Sequence, residues 1–160
     1  ETLIEAVLAQ VGQDQEHTIL DLGTGSGCLL LSLLNEMPKA TGVGVDVNPA
    51  ALEVAAENAL HIGCADRVRW HTSVWFDKLD VSDEPFSILV SNPPYIPSQH
   101  IKELDVGVRD YEPALALDGG QSGLKCYAMI LEAMRGYIAP DSLILFTVGM
   151  HQAADASKMM

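Results

Sequence analysis

Thr18-Ile19-Leu20-Asp21-Leu22-Gly23-Thr24-Gly25-Ser26-Gly27 is the stretch that decides the fold. Its first half, apolar except for Thr18 and Asp21, reads as a buried strand and runs straight into three alternating glycines. The apolar segment that follows, Cys28 to Met37, stopped before Pro38, reads as a helix. A strand, a glycine-rich turn and an apolar helix in that order make the first βα unit of a doubly wound sheet. Glycine suits such a turn because the backbone must bend sharply and admit a ligand with no Cβ in the way. The spacing narrows the ligand. A dinucleotide fingerprint carries its third glycine at position 28, where this chain has Cys28; here it comes one residue early, at Gly27. Asp21 also sets negative charge where a pyrophosphate would sit. Both details favour a cationic nucleoside over NAD. The plainer reading is a tight strand-to-helix connection with no ligand.

Working outward, Ala40 to Val45 reads as the second strand and ends at Asp46. An acid at that strand end, roughly 20 residues after the glycine turn, is placed to accept both hydroxyls of a ribose; an ordinary solubilising acid is the alternative. Asn48-Pro49 supplies a helix N-cap and a first-turn proline, and Leu52, Ala55, Ala56 and Ala59 form the buried face of that helix. Val68 to His71 is a short third strand, followed by Ser73-Val74-Trp75-Phe76. Trp75 either flanks a base at that strand end or belongs with Phe76 to the core. Upstream, residues 2–11 place Leu3, Ala6, Val7 and Gln10 on one side of a short amphipathic helix, with a polar turn from Gly12 to His17. The chain lacks an initiator Met and opens inside that helix, so an N-terminal portion is expected to be absent.

Phe86 to Val90 reads as the fourth strand and leads into Ser91-Asn92-Pro93-Pro94-Tyr95. Two consecutive prolines fix φ and remove two backbone donors, leaving a stiff turn whose carbonyls are free to accept. Asn92 adds a side-chain carbonyl and Tyr95 a flat aromatic face. Together they suit a planar –NH2 group, a carboxamide or the exocyclic amine of a base; a rigid turn closing a strand is the bland alternative. Residues 96–122 form a long connection without clear periodicity, of the kind that is usually functional or mobile. Leu124, Tyr127, Ala128, Leu131 and Met134 then recur at helical spacing up to Pro140, and Leu143 to Val148 reads as the fifth strand. The eleven residues after Gly149 are too few for a further helix and strand pair.

Composition bounds the function. The 160 residues are 48% hydrophobic and 19% charged, a well-packed globule of one domain. Twenty-two acids against nine bases give a net charge of −13, which repels phosphate backbones and argues against a stand-alone nucleic-acid binder. Cys28, Cys64 and Cys126 form no CxxC pair and read as reduced thiols of a cytosolic protein. The five histidines are scattered, so no metal site is expected. No signal peptide or membrane span is visible.

Asp21 to Gly27, the acid at Asp46 and Asn92-Pro93-Pro94-Tyr95 together resemble a class I S-adenosylmethionine-dependent N-methyltransferase. More closely, the chain resembles the HemK/PrmC family, the protein-(glutamine-N5) methyltransferases of peptide-chain release factors. The likeness covers Glu1-Thr2-Leu3-Ile4-Glu5, Gly44 to Leu52 and, most specifically, Tyr111-Glu112-Pro113-Ala114-Leu115-Ala116-Leu117-Asp118-Gly119-Gly120 with Gly123-Leu124. It implies an α/β, Rossmann-like, doubly wound and mostly parallel sheet. Residues 1–160 would be the cytoplasmic catalytic domain, without the family's N-terminal helical substrate-recognition domain or its last strand pair. It further implies S-adenosyl-L-methionine held by Asp21, Gly23, Thr24, Gly25, Gly27, Asp46, Trp75 and Asn92. The substrate amide would lie on Asn92, Pro93, Pro94 and Tyr95, with Asn92, Pro93 and Tyr95 catalytic. The release factor would be the partner, with no membrane or direct nucleic-acid contact. Two departures stand out: Val74 where the family carries an acid, and Thr147 where it carries a Glu on the fifth strand. Methylation of a base amine in DNA or RNA, and a cofactor-binding module without turnover, are the alternatives.

Overall fold

The computed structural model describes residues 2–79, 85–109 and 113–159. Among them are five strands, β1 (Thr18–Leu22), β2 (Thr41–Asp46), β3 (Val68–Thr72), β4 (Phe86–Ser91) and β5 (Ile138–Phe146). The helices are α1 (Thr2–Leu8), α2 (Cys28–Glu36), α3 (Pro49–His61), α4 (Val106–Arg109), α5 (Ala114–Leu117), α6 (Lys125–Ala133) and α7 (Ala153–Met159). All strand pairs are parallel and the order is β3-β2-β1-β4-β5. The chain therefore winds outward from β1 to β3 and returns to the other side of β1 with β4. That reversal makes the β1/β4 junction the switch point, where open α/β sheets bind ligands. Leu22 stands in register with Ser91, and Ser91 Oγ donates to Leu22 O at 2.5 Å, so both strands leave the sheet side by side.

The chain divides into two compact units, Glu1–Ser91 with Gly136–Phe146, and Asn92–Arg135 with Thr147–Met160. The first holds the sheet. Its central strands are buried on both faces, which is why they read as mostly apolar runs with little alternation. Ile19, Leu20, Leu22, Ile88, Leu89 and Val90 are fully buried, and Leu30, Leu33 and Leu34 of α2 and Val7 of α1 complete the core. Each such side chain contributes about 1.5–3 kcal/mol relative to exposure. The start of α3 follows its sequence: Asn48 Oδ1 accepts from Ala50 N at 3.1 Å and Pro49 takes the first position. The far end of α2 is held by a residue with no motif around it. The Arg67 guanidinium donates to Leu34 O, Met37 O and Ala40 O at 2.9, 3.2 and 3.0 Å, satisfying a carbonyl in the last turn of α2 and tying that turn to the connection into β2.

Several expected boundaries move. The first helix stops at Leu8 and does not reach residue 11. The helix expected to run up to Pro140 ends at Ala133 with a 3-10 turn at Met134–Gly136. The fifth strand then begins at Ile138 and ends at Phe146, so Thr147 and Val148 lie outside it. Pro140 breaks a helix but is tolerated in an irregular edge strand. Pairing jumps there from Phe86↔Ile138 to Ile88↔Leu143, and Ser142 Oγ donates to Phe86 O at 2.7 Å within the irregularity. The long connection contains a 3-10 helix at Ser98–Glu103, α4 and α5; Tyr111 and Glu112 lie outside the described residues. The last segment carries α7, a helix that the sequence reading did not assign.

Candidate functional site

Within the sheet unit, β1 delivers the chain to the glycine turn. Gly23, Gly25 and Gly27 have φ of 73°, 56° and 79°, a left-handed backbone that disfavours any Cβ. A Cβ at Gly25 would meet nothing within 4 Å, so the backbone there is open to a ligand. The turn is lashed to β2. Gly23 N and Thr24 N donate to Val45 O at 2.8 and 3.0 Å, and Gly25 N donates to Asp46 Oδ2 at 2.8 Å. Asp46 Oδ1 accepts from Asn48 N at 2.9 Å. A carboxylate offers about four acceptor sites, so each oxygen of Asp46 keeps capacity that suits one of two neighbouring hydroxyls.

Asp21 is only 1% exposed and accepts from Thr24 Oγ1 at 2.7 Å. Burial pushes its carboxyl up to about 7, with the Thr24 hydrogen bond opposing that rise and the charge of Asp46 adding to it. A buried acid poised near neutrality gains from an approaching cation, which fits a ligand carrying an ammonium group. The aromatic pair divides. Phe76 is core, with its ring centroid 4.6 Å from that of Tyr137. Trp75 is half-buried at φ 48°, its ring edge 3.8 Å from the place a Cβ on Gly23 would take.

The second unit holds the Asn-Pro-Pro-Tyr turn. Asn92 is exposed and Tyr95 is 36% exposed, whereas Pro93 is buried. The turn is braced along its length. Ile96 bridges Asp118: Ile96 N donates to Leu117 O at 3.1 Å and Gly119 N to Ile96 O at 2.9 Å. Ser98 Oγ and Gly120 N both donate to Asp118 Oδ1, which holds that carboxyl below its usual range. Gly119 passes so close that a Cβ would lie 2.8 Å from Pro94 O and Tyr95 Cα. A Cβ on Gly123 would strike Tyr95 O and the Gln152 amide. The Leu117 to Gly123 part of the family-like stretch is thus the support of the turn.

Further anchors come from the C-terminal segment. Gln152 Nε2 donates to Tyr95 O at 2.9 Å while its Oε1 accepts from Gly149 N at 3.1 Å. Thr147 Oγ1 donates to Asn92 Oδ1. Tyr127, 1% exposed, donates its hydroxyl to Thr147 O at 2.9 Å. Sequence reading missed Gln152 and Tyr127, and noted Thr147 only as a departure. Gly119 and Gly123 were visible in the resemblance but had no role. Among the described residues no group of three His, Cys, Asp or Glu side chains is arranged to hold a metal, and no helix is long and apolar enough to cross a membrane.

Residues 2–109 match the family described as methyltransferase small domain. Over its whole length the chain is 41% identical to a release factor glutamine methyltransferase of Rhodospirillum rubrum, covering 48% of that protein. It spans about half the length of the curated relatives it matches. Among solved structures, TrmN from Thermus thermophilus superposes with a TM-score of 0.69 at 18% identity, over 99% of this chain and 40% of that one. A SAM-dependent methyltransferase from Geobacter sulfurreducens in complex with S-adenosyl-L-homocysteine superposes with a TM-score of 0.59 at 21% identity, over 91% of this chain and 45% of that one. These likenesses carry the fold: a class I, Rossmann-like methyltransferase sheet.

Proposed function

We propose, since the chain belongs to the methyltransferase small-domain family, that it transfers a methyl group from S-adenosyl-L-methionine to the side-chain amide nitrogen of a glutamine in a peptide-chain release factor. Residues 1–160 act as the catalytic domain, in the cytoplasm, without direct nucleic-acid or membrane contact. The observation that carries the chemistry is the Asn92 to Tyr95 turn, an exposed amide and a partly exposed ring on a braced, proline-stiffened backbone. The substrate class is supported by whole-length likeness to relatives named release factor glutamine methyltransferase.

S-adenosyl-L-methionine supplies a methyl group already activated by positive sulfur. The residues of this chain then bind and align. Asp46 would take the ribose hydroxyls and Asp21 with Thr24 the ammonium group; Gly23 and Gly25 would let the ligand approach the backbone, Gly27 would turn the chain into α2 where Leu31, Trp70 and Ala55 leave no room for a Cβ, and Trp75 would flank the base. An amide nitrogen is a poor nucleophile because its lone pair is delocalised into the carbonyl. Asn92 Oδ1 and the Pro93 carbonyl accept its two N–H bonds, which raises electron density on nitrogen and favours the positive charge that develops there. Pro94 keeps the turn rigid, and Tyr95 packs against the amide plane and excludes water. No general base is required, because the methylated amide cation is itself a strong acid.

The test is mass analysis of release factor after incubation with the chain and S-adenosyl-L-methionine. A gain of one methyl on a glutamine is expected. Methylation of an oligonucleotide in its place, or cofactor binding with no transfer to either, would overturn the reading.

A further inference from the structure

Two side chains meet just past the ends of paired strands. Ser91 and Phe146 are register partners at the ends of β4 and β5, and the next residues in the chain are Asn92 and Thr147. Thr147 Oγ1 donates to Asn92 Oδ1. Thr147 is itself held through its backbone, where its carbonyl oxygen accepts from the Tyr127 hydroxyl at 2.9 Å. Burial pushes that hydroxyl up to about 12, so Tyr127 stays a donor throughout the neutral range.

The terminal torsion of an asparagine is broad, and its amide presents an oxygen on one edge and an NH2 on the other. On an exposed turn both orientations are open, yet only the one that offers the oxygen serves an incoming N–H. A hydroxyl bonded to that oxygen restricts the rotation. The carbonyl oxygen has two lone pairs, so one is taken by Thr147 and the other remains. A β-branched residue is stiff at χ1, which fixes the direction of the hydroxyl.

We propose that Thr147 is a positioning residue for the Asn92 amide, and that Tyr127 holds Thr147 in place. This rests on the reading of Asn92 as the acceptor of the substrate amide. It assigns a task to the position where a Glu was expected. A carboxylate there would accept from the Asn92 NH2 edge, whereas the hydroxyl of this chain engages the oxygen edge.

The test compares Thr147→Val, which keeps the shape and removes the hydroxyl, with Thr147→Ser, which keeps the hydroxyl. Both are assayed as the full chain on release factor, beside Tyr127→Phe and Asn92→Ala. Thr147→Val should lower kcat roughly tenfold, the value of one hydrogen bond, at unchanged S-adenosyl-L-methionine affinity. Thr147→Ser should restore most of it, and Tyr127→Phe should fall between. A Thr147→Val chain with kcat within twofold of the unsubstituted one, while Asn92→Ala is inactive, would overturn the proposal. Normal transfer by Asn92→Ala would instead overturn the functional reading beneath it. The NMR signals of the Asn92 side-chain NH2 decide the positioning claim without turnover. Thr147→Val should shift and broaden them and Thr147→Ser should not; an unchanged spectrum in Thr147→Val overturns the claim whatever the assay shows.

Discussion

Asp46 accepts from two backbone donors before any ligand arrives, Gly25 N on one oxygen and Asn48 N on the other. Its removal therefore loosens the glycine turn as well as deleting an acceptor. Asp46→Ala should weaken S-adenosyl-L-methionine binding by about 2–3 kcal/mol, for two hydrogen bonds to a charged group. Calorimetry on the folded variant measures this, and an unchanged affinity would remove the ribose role. Asp21 acts on stability with the opposite sign. Its carboxyl is raised from 3.8 to about 7 by burial, so the native chain holds a proton that the unfolded chain has released. Its stabilising contribution is complete below pH 3.8 and is lost as pH rises through about 7. Asp21→Asn should accordingly raise the melting temperature at pH 8 and leave it little changed at pH 4, while weakening binding of the cationic ligand. A melting difference that does not vary with pH would contradict the burial account. The positions of Asp21 and Asp46 at the ends of β1 and β2, and the left-handed glycine turn, were legible because each belongs to a local pattern with a steric or electrostatic reason. Thr147 and Gln152 were not, since their partners lie 55 and 57 positions away and nothing in their neighbours announces the bond.

Helices and strands were legible to the extent that burial patterns them. β1 and β4 stood out as predominantly apolar runs, Asp21 and Ser87 apart, because both their faces are covered. β5 was misplaced because Pro140 reads as a helix stop, whereas the strand absorbs it in an irregular stretch between Ile138 and Leu143. The Arg67 clamp on α2 had no signal at all, since an arginine reaching three carbonyls leaves no periodicity. The segment from Leu117 to Gly123 belongs here too. It looked like a formless connection, yet it is hydrogen-bonded along the Asn-Pro-Pro-Tyr turn and leaves no room there for a Cβ on Gly119 or Gly123. Gly119→Ala would drive a methyl group against Pro94 O and Tyr95 Cα at 2.8 Å, both backbone atoms that cannot swing aside. Overpacking of this kind costs about 1–3 kcal/mol. Denaturant unfolding should show that loss, together with reduced transfer at normal cofactor affinity; an unperturbed midpoint would mean that the turn is free to shift.

For the molecule as a whole, the order β3-β2-β1-β4-β5 leaves β5 hydrogen-bonded to a neighbouring strand on one side among the described residues. Its residues Leu143 to Leu145 are half-buried and apolar, and such an edge is a template for another chain. The 160-residue chain is expected to self-associate through β5, with light scattering showing a mass that grows with concentration. A constant monomer mass combined with a high melting temperature would show that the edge is protected. The switch point carries a consequence in time. Leu22 and Ser91, joined across β1 and β4, are 69 positions apart, whereas β1–β2 and β2–β3 pair residues much nearer in the chain. Closing the longer loop costs more entropy before any contact compensates, so the near pairings form first. Pulse-labelled hydrogen exchange during refolding should find the β2 amides protected before those of β4, and simultaneous protection would refute it. The β1–β4 seam then closes after the β1–β2 and β2–β3 pairs, and a newly made chain acquires its switch point only once that half of the sheet is built.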